Sequence, residues 1–305
     1  MRKAFVQSML DIADQDERVL LLTADLGFMV LEPFRDRFPN RFFNVGVSEQ
    51  NMISLATGLA LQGFIPFVYS IATFAVLREY EFIRNGPIAH KLPVRIVGVG
   101  TGVDYAYDGL THYALEDIAL MRTLSSLRII ATADSAQTIS ALQSTWQLPG
   151  PTYYRLSKND LLSVPKLQGR FTYQEIELLR TGKDCVLLTT GSVSQDVYSA
   201  VEKLARQGVD CALAIISTIA PFDTRQLLYL LSGYKHVFTF EPHLPTGGVG
   251  SLVAEVIADN NLKCTLTRTG ITYHPGDYLG TQALIHERNG LDVNGIISTV
   301  KKSLS

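Results

Sequence analysis

Residues 42–67 read FFNVGVSEQNMISLATGLALQGFIPF. Phe42–Val45 has the aromatic and β-branched character of a short strand. Gly46 breaks it, and Ser48 stands where a helix N-cap belongs, its hydroxyl expected to accept from the exposed amides of the first turn. Helical patterning follows over Glu49–Gln62, and Phe64–Tyr69 is again strand-like. A strand, a helix and a second strand in immediate succession argue a parallel sheet. Glu49 falls on the first helical position, at the carboxyl end of a strand, where open α/β sheets bind ligands. First-turn acids also complement the helix dipole with no further duty, and periodicity does not choose between the two.

The alternation extends both ways. On the N-terminal side lie a helix over Arg2–Ala13 and a strand over Val19–Thr23. On the C-terminal side, helices over Thr73–His90, Tyr113–Thr123 and Ser135–Trp146 separate strands at Val94–Val99, Arg128–Ala131 and Thr152–Arg155. Leu162–Gly169 reads as a connector, and the pattern then restarts. Strands Cys185–Thr189, Cys211–Ser217, His236–Glu241 and Lys263–Arg268 alternate with helices Ser194–Gln207, Thr224–Leu231 and Val249–Asn260, and a last helix covers Val293–Leu304. The expected fold class is therefore α/β: two doubly wound domains with mainly parallel sheets, residues 1–163 and 181–305, joined by a linker over 164–180.

Bulk properties narrow the function classes. The 305 residues are 47% hydrophobic and 18% charged, ample for two packed cores. With 27 basic against 29 acidic residues, net −2, there is no long-range attraction to nucleic acid or anionic lipid, so an anionic ligand needs a local site. The N-terminus is amphipathic rather than signal-like, and no run of about 18 apolar residues occurs, so neither nucleic acid nor membrane is an expected partner and the expected compartment is cytoplasmic. Cys185, Cys211 and Cys264 are too scattered for a disulfide framework or a metal cluster and read as small buried hydrophobes. VGVGTGV (97–103) lacks the spacing of a dinucleotide loop. EPHLPTGGVGS (241–251) leads into a helix whose amides are suited to an anion.

VGVSEQNM (45–52) resembles the signature of the pyrimidine-binding domain of the transketolase family. The resemblance implies thiamine diphosphate as cofactor, with Glu49 facing N1′ of its aminopyrimidine. A carboxyl sharing a proton there favours the imino tautomer, whose freed nitrogen takes the proton from the thiazolium C2. YSIATFAVLREYEFIRN (69–85) resembles the next motif, in which aromatics on one helix pack on that ring. Phe74, Leu77 and Tyr80 take those places at three-residue steps, Leu77 standing where an aromatic is frequent. DGLTHYALEDIALMR (108–122) resembles the DG-x-TH segment that contacts sugar hydroxyls, which implies substrate roles for Asp108 and His112, with the imidazole suited to proton transfer. Asp25, in LLTADLG, matches a family acid near the thiazolium. In the family, the 241–251 string is a mainly structural turn, which makes His243 structural.

The chain departs from the family at the sugar-phosphate anchor. Arg2 matches its first arginine, but Met29 and Gly100 fall where a serine and a histidine belong, and Lys158 replaces the last arginine with a point charge lacking the bidentate fork. These changes argue against a standard pentose-phosphate substrate. The sequence also contains no Gly-Asp-Gly: Gly276-Asp277 is followed by Tyr278, and Asp108-Gly109 by Leu110. The resemblance thus implies that Mg²⁺ and the diphosphate are held by a separate N-terminal (α) transketolase subunit in an α2β2 assembly. The expected function is a two-component transketolase moving a two-carbon ketol unit from a sugar or sugar phosphate to an aldehyde. A 2-oxoacid dehydrogenase β subunit and a 1-deoxyxylulose-5-phosphate synthase-like enzyme are the alternatives within this fold, and a non-catalytic regulatory subunit is the alternative outside it.

Overall fold

The computed structural model describes residues 1–272 and 280–304; Gly276, Asp277 and Tyr278 lie outside them. The first unit contains strands β1 (Val19–Thr23), β2 (Phe42–Asn44), β3 (Ile65–Ile71), β4 (Arg95–Val99), β5 (Arg128–Ala131) and β6 (Thr152–Leu156). Its helices are α1 (Arg2–Gln15), α2 (Glu32–Arg37), α3 (Glu49–Leu61), α4 (Ala72–Val76), α5 (Tyr80–Ile83), α6 (Asp117–Arg122) and α7 (Ser135–Thr145). The second unit runs β7 (Ile176–Arg180), β8 (Cys185–Thr189), α8 (Ser194–Arg206), β9 (Cys211–Ile216), β10 (Thr218–Ala220), α9 (Thr224–Ser232), β11 (His236–Phe240), α10 (Val249–Asp259), β12 (Thr265–Thr269), α11 (Gln282–Arg288) and α12 (Val293–Leu304).

Two sheets result, ordered β10-β5-β6-β4-β3-β1-β2 and β12-β11-β8-β9-β7. All pairings are parallel except β10 with β5 and β7 with β9. The strands β1, β4 and β6 of the first sheet are buried along their whole length, as strands covered on both faces require. Register aligns the strand ends: Thr23 is opposite both Asn44 and Tyr69, and Ile71 is opposite Val99, itself opposite Leu156. The segments leaving these ends carry Asp25, Glu49, Phe74, the 100–112 loop and Lys158, so topology alone gathers the candidate residues on one edge.

The domains are more closely joined than two separate cores. β10 follows β9 directly but pairs with β5, so the second unit lends an antiparallel edge strand to the first sheet. Ile219 on β10 joins a hydrophobic cluster that runs from Met52 and Ile53 of α3 to Val253 of α10. Both short antiparallel strands were missed in sequence, being β7 inside the expected linker and β10 with three residues. Their short apolar runs carry no period of their own. The short helices α2 and α11 were missed for the same reason.

Three expectations are corrected. The helix expected over Thr73–His90 is broken into α4, α5 and a five-residue π-type turn at Arg84–Ile88. Pro87 lies inside that turn and cannot donate to a regular ladder. Arg78 and Glu79 interrupt the helix earlier, with Glu79 at φ −90°, ψ 0°. The helix expected over Tyr113–Thr123 begins only at Asp117, because Ala114 is extended and paired with Gly102. Ser48 is the N-cap of α3, but its backbone lies outside the extended region and its hydroxyl accepts no amide of the first turn.

Candidate active site

Glu49 opens α3 yet is turned inward. Its side chain is 2% exposed, its Oε1 accepts from Ser70 Oγ at 3.5 Å, and it pairs with Arg78 Nη2 at 3.2 Å. Arg78 is 47% exposed and lies in the break between α4 and α5. Its guanidinium carbon sits 4.6 Å from the centre of the Phe74 ring. Phe74 in turn meets the His112 ring edge-on at 5.1 Å, His112 faces Tyr105 at 6.0 Å, and the Lys158 ammonium rests 4.2 Å from the Tyr105 ring centre. The carboxyl edge therefore carries a continuous row, from Glu49 through Arg78, Phe74, His112 and Tyr105 to Lys158.

The row is held in place by local geometry. Thr111 Oγ1 is 2.9 Å from His112 Nδ1, which fixes the ring and leaves Nε2 for a ligand. Asp104 is buried, and burial raises its proton affinity. Its oxygens accept from the Lys158 amide at 2.9 Å and from Gln282 Nε2 at 2.7 Å, tying the 100–112 loop to β6 and to α11. Gly100 has φ +82°, and a Cβ there would fall inside the Tyr105 ring. At the far end, Arg2 Nε donates to the Lys158 backbone carbonyl at 3.1 Å.

The other candidates are placed less directly. Asp108 is exposed on a turn (Ala106–Asp108) four residues before His112. Leu77 and Tyr80 are half-buried and pack against the core cluster, with the Tyr80 hydroxyl 2.7 Å from Thr123 Oγ1. Leu77 closes α4 and Tyr80 opens α5, so the break at Arg78 and Glu79 lies between them. Asp25 adopts a left-handed φ of 55°, and its carboxylate accepts from Asn44 Nδ2 at 2.9 Å.

Residues 1–163 match the family model "Transketolase, pyrimidine binding domain" and residues 174–296 match "Transketolase, C-terminal domain". The chain is 35% identical to a "Putative transketolase C-terminal section" of Methanocaldococcus jannaschii, with 89% of this chain and 86% of that protein covered. The chain belongs to the transketolase family. It is 32% identical to the "6-deoxy-6-sulfo-D-fructose transketolase subunit SqwH" of Clostridium sp. MSTE9, covering 97% and 92%. A solved structure described as "Split gene transketolase, inactive beta4 tetramer" superposes with a TM-score of 0.90 at 30% identity, covering 99% of this chain and 97% of that one.

Three features of this family member escaped sequence reading. Arg78 carries no signal within a helix read as continuous over Thr73–His90; it meets Glu49 from the break between α4 and α5. Asp104 precedes the DG loop with no spacing signal. Glu79 is fully buried with neither oxygen bonded, and burial raises it to about 7, Arg78 opposing and the Glu49 charge adding. The anion seat suggested by the 241–251 string is filled from within: Glu241 Oε2 and Oε1 accept from the amides of Val249 at 2.7 Å and Gly250 at 2.8 Å. His243 is completely buried, Nδ1 2.7 Å from the Leu244 carbonyl and Nε2 taking the Ala119 amide at 3.3 Å. Burial lowers it to about 4, despite Asp117 nearby, so it is a neutral packing element. Among the described residues no His, Cys, Asp or Glu cluster is placed to hold a metal, and no helix is long and apolar enough to cross a membrane.

Proposed function

We propose that the chain is the β subunit of a two-component, thiamine diphosphate-dependent transketolase that moves a two-carbon ketol unit from a ketose to an aldehyde. The observation that carries this reading is the inward-turned Glu49 carboxylate at one end of the row and His112 in its middle. The residues present fit one half of the cofactor. A buried carboxylate and the Phe74 ring suit a flat, hydrogen-bonding aminopyrimidine. Among the described residues, the helix terminus that the sequence offered as an anion seat, at Val249–Gly250, already holds Glu241. Mg²⁺ and the diphosphate are therefore assigned to a partner α subunit, in an α2β2 arrangement that places each site between unlike chains. Residues 1–163 and 181–305 are the two domains of this subunit, the second extended by β7, and we place it in a reducing, cytoplasmic compartment, where Cys185 and Cys211 are free thiols although their sulfurs lie 3.3 Å apart across β8 and β9.

When bound, thiamine diphosphate would supply a carbanion equivalent for the ketose carbonyl. This chain's residues do the rest. Glu49 holds a proton at the ring nitrogen it faces. Phe74 offers its ring as a wall, and we assign Leu77 and Tyr80 to the same wall and Asp25 to the thiazolium side. His112, its Nδ1 restrained by Thr111, moves a proton at the substrate oxygen through Nε2, while Asp108 binds a hydroxyl. Lys158, with Arg2 behind it, takes an anionic end of the sugar. A relative named for a sulfonated ketose supports such an anionic tail as a class.

The test is reconstitution with a subunit that carries a Gly-Asp-Gly…Asn domain, assayed with a ketose or hydroxypyruvate as donor against pyruvate. Ketol transfer that falls by about 10²–10⁴ in Glu49→Gln supports the reading. Exclusive use of pyruvate points instead to a 2-oxoacid dehydrogenase. Unchanged turnover in Glu49→Gln, or tight cofactor binding by this chain alone, removes it.

A further inference from the structure

Arg78 occupies two positions at once. Its Nη2 lies 3.2 Å from Glu49 Oε1, and its guanidinium carbon lies 4.6 Å from the centre of the Phe74 ring. Those are the two groups assigned above to the aminopyrimidine, one to its nitrogen and one to its π face. The coincidence is chemical as well as spatial. A guanidinium and a 4-aminopyrimidine are both planar N–C–N systems that present N–H donors in the plane and a flat face. Each can bond the Glu49 carboxyl, the guanidinium by donating to it and the ring nitrogen by sharing its proton, and each packs on an aromatic ring.

We propose that Arg78 is a built-in surrogate for the cofactor's aminopyrimidine, holding Glu49 and Phe74 in the unloaded subunit and leaving when the ring enters. The proposal rests on the cofactor reading above. Glu49 is almost fully buried, and an uncompensated charge at that depth is costly, so the empty pocket needs a counter-charge. Arg78 supplies it from a side chain that is itself half exposed and lies outside any helix, free to swing into solvent with little loss. The fully buried Glu79 next to it cannot follow, so the movement belongs to Arg78 alone. The surrogate keeps Glu49 aimed at the pocket before the ring arrives, and part of the binding energy of the ring is spent displacing it.

The reconstituted pair is titrated with thiamine diphosphate by calorimetry, using wild type, Arg78→Gln, Glu49→Gln and the double variant. Removing the surrogate destabilises only the unloaded state, so Arg78→Gln is expected to bind the cofactor about tenfold more tightly. In the Glu49→Gln background the same substitution changes affinity by less than about twofold, because the pair it breaks is already gone. As a readout independent of loading, Arg78→Gln lowers the thermal midpoint of the cofactor-free chain, and Arg78→Lys restores part of it. Equal or weaker cofactor binding in Arg78→Gln, with wild type binding normally, overturns the surrogate and leaves the function intact. Absence of saturable binding in the wild-type pair overturns the function, and the surrogate with it.

Discussion

At the carboxyl edge of the first sheet, Glu49 stands at the start of α3 and faces a half-exposed arginine; at the carboxyl edge of the second, Glu241 follows β11 and reaches into the start of α10. Both are nearly inaccessible acids beside a helix N-terminus in a parallel sheet. Their partners differ. Glu241 is bonded by two backbone amides of its own chain, which cannot leave. Glu49 is paired with a half-exposed side chain and a long contact from Ser70. The same architecture gives a ligand site where the acid's partner is replaceable and a structural lock where it is not. Burial and fold position alone do not separate the two cases; the identity of the hydrogen-bond partner does.

The largest effect expected from this contrast lies in the polar network under the lock. Asp117, fully buried on α6, accepts from Arg155 Nε and from the Tyr153 hydroxyl, both at 2.7 Å, while Arg155 also bonds the carbonyls of Ala114 and Pro242. Burial pushes the Asp117 carboxyl up, but the charge and hydrogen bonds of Arg155 beside it outweigh that and hold it below the usual carboxylate range. Asp117→Ala strands a buried guanidinium whose Nη1 is already unpartnered. It should cost about 3–5 kcal/mol in urea unfolding. Glu49→Gln on the open edge, breaking a half-exposed pair, should shift the same measurement by less than about 1 kcal/mol while removing turnover. Comparable losses at both sites would erase the distinction.

Much of this contrast was legible in the sequence, and its limits are instructive. The start of α3 at Glu49, the strands Val19–Thr23, Arg128–Ala131 and Cys185–Thr189, and the last helix are where periodicity places them, because those runs are long or sharply bounded. The gathering of Phe74 and His112 also follows, since both leave the same sheet edge. What the sequence could not show depends on bends. Arg78 reaches Glu49 only because the helix fails at Glu79, and Tyr105 fills the space over Gly100 only because the loop before the DG turn folds back onto β4. Glu241 reads as an anion-seat neighbour in sequence; its own carboxylate being the anion is a fact of distance. β10 is invisible because three residues in an edge strand borrow their order from β5.

A second, smaller effect follows from the filled seat. Glu241→Ala uncovers the amides of Val249 and Gly250 in a buried setting, at a cost of about 1–3 kcal/mol. The cavity it leaves is a helix N-terminus with two free donors, which is an anion site by construction. Sulfate at tens of millimolar should then raise the melting temperature of Glu241→Ala and leave wild type unchanged. A variant that is destabilised yet indifferent to sulfate would mean that the amides close over the gap.

A third effect is a change of slope with pH, and it has opposite signs on the two sides of the molecule. Burial lowers His243 from the usual value near 6.5 to about 4, so the folded chain keeps it neutral. That preference is fully present above about pH 6.5 and is lost as pH falls toward 4, with a limiting slope of about 1.4 kcal/mol per pH unit. Burial raises Glu79 from 4.5 to about 7, so here the folded chain keeps the proton. That stability is present below pH 4.5 and is lost as pH rises through 7. Between pH 4.5 and 6.5, His243→Gln should therefore lose less stability than wild type on acidification, and Glu79→Gln less than wild type on alkalinisation. Urea unfolding at pH 4.5, 5.5 and 6.5 measures both slopes on one chain. Parallel curves for wild type and His243→Gln would mean that the locked side takes up protons while folded, and would leave its neutral histidine without support.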